Sequence, residues 1–172
     1  MKTKKLVLSG FFIACGLALP MAFHMFNMGG PVFLPMHIPV LITGYFLGTM
    51  YGAAIGIVTP IISGLLTGMP PLIPVMPIMV FELCGYGLFT GLIFYKTNNI
   101  YLSLISAMVA GRLLAIVGAL VVSLTLAPKV NPIAYVVGGL FTAIPGMIIQ
   151  LIFIPMLIKL LFKNKEISRI IA

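Results

Sequence analysis

From Leu6 to Phe26 the chain passes through apolar and small residues without a single Asp, Glu, Lys or Arg, and comparable stretches recur as far as Phe162. About 20 such residues make a helix long enough to cross a hydrocarbon core roughly 30 Å thick. A chain built of such runs has lipid as its main solvent, so the fold class is an all-α integral membrane protein. Composition agrees, with 62% hydrophobic and 7% charged residues and a mean hydropathy of +1.26, where soluble domains carry about a quarter charged residues. The 172 residues hold about six spans with short loops. No length remains for a separate soluble domain.

Helix breakers set the boundaries. The first span reads as 6–26, closed by Asn27, Gly29, Gly30 and Pro31. Spans at 33–48 and 52–66 follow; both are short and rich in Gly and Pro, which predicts tilt or irregular backbone. The segment 67–77 carries Gly68, Pro70, Pro71, Pro74 and Pro77, too many missing donors for a helix. Spans at 77–95, 100–126 and 133–162 complete a single membrane domain, 1–172, and Pro145 and Pro155 are expected to kink the last. Lys2, Lys4 and Lys5 before the first run imitate a signal peptide, but the run is long and lacks a clean small-x-small cleavage site, so it reads as a span.

Charge supplies the orientation, because cytoplasmic loops retain Lys and Arg. With six spans and both termini inside, the inner side holds Lys2, Lys4, Lys5, Lys96, Lys159, Lys163, Lys165 and Arg169, and the outer side only Lys129. These residues form no stripe on a soluble face, so the net charge of +8 reads as topology and not as a nucleic-acid footprint. Cys15 and Cys84 lie inside spans and behave as small apolar residues.

Two ionisable residues fall deep within spans, Glu82 and Arg112, where a charge costs several kcal/mol unless paired or hydrated. One reading is an ion pair locking spans four and five. The other has Glu82 orienting Arg112 so that its remaining donors face a substrate carboxylate. The two are compatible. Around the pair, His37, Asn27, Asn131 and Tyr86 are the polar candidates for a binding site in the outer half, with Gln150 read as a helix-to-helix hydrogen bond. In the first span Gly10, Ala14 and Ala18, spaced by four, make a smooth ridge for close approach of a helix of this chain or of another protein. One buried acid, two separated His residues and no HExxH motif leave an enzyme without its chemistry, and no metal site or cofactor is implied. A proton-coupled secondary transporter using Glu82 stays open, although the chain is short and lacks an obvious inverted repeat.

The runs PMHIPVLITGYFLG (35–48), TPIISGLLTGMPPLIPVMPIMVFELCGYG (59–87) and AGRLLAIVG (110–118), with the six-span plan, basic ends and the Ala14-x-x-x-Ala18 spacing, resemble the S components of energy-coupling factor (ECF) transporters. The likeness covers nearly the whole chain and is closest to the pantothenate-type branch. The absence of Trp departs from the aromatic-rich thiamin sites. The resemblance implies a vitamin-binding subunit of a bacterial cell membrane importer, working with a transmembrane coupling protein and two ATPases. Such a subunit topples in the bilayer to deliver its substrate, with the ridge of Gly10, Ala14 and Ala18 as docking surface. The chain has no GxxxxGK[ST] motif of its own, as that division of labour requires.

Overall fold

The computed structural model describes residues 2–25, 30–128 and 130–163. Among the described residues every regular element is helical: α1 (Lys2–Met25), α2 (Gly30–Phe33), α3 (His37–Leu47), α4 (Thr49–Thr67), α5 (Val75–Thr97), α6 (Ile100–Thr125) and α7 (Pro132–Lys163). Five of these are long and apolar enough to cross a membrane, and Pro31–Leu47 forms a shorter apolar segment. Large apolar side chains stand fully outward along the long helices, with Leu65 67%, Leu113 60% and Ile152 66% exposed. In water that surface would drive aggregation; against lipid tails it costs nothing.

The core is zipped by α3, α4 and α5. Gly52 on α4 and Gly87 on α5 face each other so closely that a Cβ on either would run into the other's backbone. Small residues substitute for a hydrophobic driving force between helices in lipid, because they let backbones approach and maximise dispersion contacts. Around this seam Leu41, Leu83, Tyr86 and Leu104 are fully buried. Two threonine hydroxyls inside it are satisfied locally: Thr43 Oγ1 donates to the Pro39 carbonyl (2.7 Å) and Thr90 Oγ1 to that of Tyr86 (2.7 Å). Unmet hydroxyls would cost several kcal/mol in hydrocarbon.

The second expected span is not one helix. The chain forms the four residues of α2, breaks at 34–36, and then makes the 11 residues of α3, which rise only about 16 Å. Proline is the cause. Pro35 disfavours the right-handed helical region for the residue before it, and Leu34 takes the left-handed one, φ +50°. The break is held from two sides. The His37 N–H donates to the Leu34 carbonyl at 3.1 Å, and the fully buried Gln150 on α7 reaches the same oxygen through Nε2 at 3.4 Å. One turn before Gln150, a Cβ on Gly146 would sit 2.5 Å from the Val32 carbonyl oxygen. Only glycine there admits α2 against α7.

The remaining boundaries follow sequence chemistry. Gly68, at φ +70°, ends α4 with its N–H on the Gly64 carbonyl, the left-handed cap that glycine favours. The proline-rich stretch then runs without a helix to Val75, pinned by Ser63 Oγ on the Met69 carbonyl at 2.6 Å. Asn99 Oδ1 accepts from the Leu102 N–H and starts α6.

Candidate functional site

The α2–α3 break, the C-terminal part of α1, the α4–α5 loop and the first turns of α5 and α7 meet at one end of the bundle and enclose a cavity of about 350 Å³. At the opposite end Lys5 stands over the Tyr51 ring (5.7 Å) and Lys159 over that of Tyr101 (5.6 Å). The basic helix ends and the cavity are thus at opposite poles. Clefts for small ligands begin near 300 Å³ and are mostly apolar with a few convergent polar groups, which describes this one.

Three helices bring the polar groups together. Glu82 on α5, 6% exposed, receives Arg112 Nη1 from α6 at 2.9 Å and lies 3.5 Å from His37 Nε2 on α3, both measured to Oε1. The Arg112 contact is an ion pair by distance and the His37 contact a close polar approach, and neither has the alignment of a hydrogen bond, since Oε1 has no aligned donor. Gly111, beside Arg112, has no side chain because the Tyr86 ring occupies the space: a Cβ would come 2.5 Å from Tyr86 Cδ2. The same ring meets His37 edge to face, centroids 5.0 Å apart at 88°. Arg112 Nε and Nη2, both His37 ring nitrogens and the Tyr86 hydroxyl are buried with no hydrogen-bond partner among the described residues.

That inventory is rich in donors. Guanidinium only donates, Tyr has one O–H, and a neutral imidazole adds one N–H. Nε and Nη2 form one edge of the guanidinium fork, the edge that receives a planar carboxylate in two parallel bonds. Glu82 occupies Nη1 and leaves that edge free.

Of the residues expected at the site from sequence, Glu82, Arg112 and His37 line the cavity, and Tyr86 backs them from one helical turn along α5. Asn131 is elsewhere. It is exposed, its Oδ1 accepts from the Ala134 N–H at 3.1 Å, and it caps α7 ahead of Pro132. A short polar side chain before a proline at the first helical position is a helix-start signal, and here that role takes it away from the cavity. Asn27 lies outside the described residues. Tyr135 and Thr142 on α7 reach the cavity wall although nothing in the sequence pattern singled them out. Gly10, Ala14 and Ala18 all lie on the exposed side of α1, with nothing within 4 Å of a Cβ on Gly10. It is Gly16 that packs inward, against Thr59.

An all-helical, lipid-facing bundle with a small cavity over a buried charge cluster defines a membrane protein that binds a small molecule. A family model described as ECF transporter, substrate-specific component, matches residues 4–158, and the chain belongs to this family. Comparison with curated proteins and with solved structures finds no match. Membership makes it a transport subunit, not an enzyme, with a small-molecule substrate and with energy-coupling and ATPase partners in general.

Proposed function

We propose that this S component captures a small carboxylate-bearing vitamin or vitamin precursor from outside a bacterial cell. It then delivers the substrate by toppling within a complex of a transmembrane coupling protein and two ATPases. One observation carries the substrate reading: Glu82 engages only Nη1 of Arg112, and Nε and Nη2 are buried without a partner among the described residues. A guanidinium at membrane depth is costly unless its donors are met, and a substrate carboxylate meets two at once. His37, which also lines the cavity, offers a further polar group beside it. Pantothenate, the candidate suggested by the sequence, meets the carboxylate requirement and belongs in any screen as the reference compound.

The test has two arms. Purified protein is titrated with B vitamins and their precursors, each acid alongside its amide. An acid is expected to bind, and its amide at least about tenfold more weakly, the loss of one charge-assisted pair. In parallel, affinity purification from its native membrane is expected to bring an ATP-hydrolysing partner. Uptake driven by a proton gradient in vesicles holding this chain alone would sink the importer-subunit reading.

A further inference from the structure

The walls of the cavity ask more of the substrate than its carboxylate. Five prolines, Pro20, Pro31, Pro35, Pro70 and Pro71, face it, and a proline has no backbone N–H to offer. The carbonyls of two wall residues are already taken: that of Leu34 by the His37 N–H, and that of Met69 by Ser63 Oγ. Besides Glu82, Arg112 and His37, only Tyr135 and Thr142 among the described residues bring polar side-chain atoms to the lining. The Thr142 hydroxyl donates to the Gly138 carbonyl at 3.0 Å. Met36, Met69 and Met79 also line it, and thioethers adapt to a ligand's shape and favour aromatic edges.

Among the described residues the polarity of the lining is therefore carried by the Glu82, Arg112 and His37 cluster and by Tyr135 and Thr142 on α7. A ligand hydroxyl or amide placed along the proline and methionine walls leaves water and meets five prolines with no backbone N–H to offer, and unpaired burial is penalised. Resting on the carboxylate reading above, we infer that the substrate is a one-ended acid: a single carboxylate seated at Arg112 and a compact apolar body, ring-bearing by preference, against the proline and methionine walls. Hydroxyl-rich acids of similar size are selected against.

The experiment titrates the full chain in detergent with three probes: 3-phenylpropionate, 3-phenylpropionamide and pantothenate. Ligand-observed NMR measures affinity. 3-Phenylpropionate is expected to bind roughly tenfold or more tighter than either of the others, the scale set by one unmet buried polar group. Val75→Thr, which adds a hydroxyl to a wall with little change in shape, is expected to reduce the preference over pantothenate several-fold. Pantothenate binding as tightly as 3-phenylpropionate, or tighter, overturns the one-ended substrate and leaves the carboxylate reading standing. Equal binding of the acid and its amide overturns both. Binding of none of the three overturns the inference, and the vitamin screen then decides the carboxylate reading by itself.

Discussion

Arg112 has more donors than Glu82 takes, and that surplus gives the residue-scale prediction. Lysine keeps the charge but loses the planar fork, so Arg112→Lys is expected to weaken binding of the substrate acid by about 2 kcal/mol or more while the Glu82 contact persists as a point-charge pair. Removing the guanidinium alone with Arg112→Gln leaves Glu82 buried and uncompensated, a loss of about 3–5 kcal/mol of stability. The double change Glu82→Gln with Arg112→Gln removes both charges and separates the roles. It is expected to melt closer to the parent than the single Arg112→Gln variant and still to lose binding, as read by thermal shift and titration on one preparation. A stable double variant with parental affinity would make the pair purely structural. That Glu82, Arg112 and His37 would cluster was legible in the sequence because a charge or imidazole amid apolar residues needs a partner. Asn131 misled because a polar residue in an outer loop looks the same whether it binds a ligand or caps a helix. Tyr135 was invisible for a related cause: which face of α7 it occupies depends on where the helix starts.

At the scale of elements, apolar runs and breakers located five helices to within a few residues at most of their ends, since span length is imposed by lipid and breaking by proline and glycine. The second span resisted. Its hydropathy is that of a membrane segment, but the local effect of Pro35 and the support of Gln150 and Gly146, over a hundred residues along the chain, decide that it is built as two pieces. Long-range packing of that kind leaves no periodic signal. The first helix carries a prediction of its own. Gly10, Ala14 and Ala18 are exposed while Gly16 faces Thr59, so the ridge points away from the bundle and suits a helix of another protein. Ala14→Leu adds bulk at an exposed position of α1. It is expected to lower recovery of the coupling protein and uptake in cells by severalfold, with substrate affinity of the isolated subunit within about a factor of two, the scatter of a surface change. A large loss of affinity in the isolated subunit would place the ridge inside the fold instead.

For the whole molecule, the cavity and the basic helix ends occupy opposite poles, and this polarity turns a topology rule into a functional statement. Lys and Arg are retained on the cytoplasmic side, so the pole with Lys5, Lys96 and Lys159 is expected to be inside and the cavity to face out. An importer subunit that captures its substrate requires the same arrangement. The broken second segment must then complete a crossing although α3 is only 11 residues long, with α2 and the break supplying the rest at membrane depth. Such irregular backbone is tolerated in lipid only where protein or a water-filled cavity covers it, and Gln150, α7 and the cavity cover it here. Single-cysteine probes test the orientation in a background lacking Cys15 and Cys84, both partly exposed. Leu72 lies 48% exposed in the α4–α5 loop beside the cavity, and Thr97 is exposed at the end of α5 near Lys96. A membrane-impermeant maleimide added to intact cells is expected to label Leu72→Cys and to spare Thr97→Cys until the cells are opened. If Thr97→Cys reacts first in intact cells, the molecule sits the other way up, and the cavity cannot be the site that meets substrate from outside.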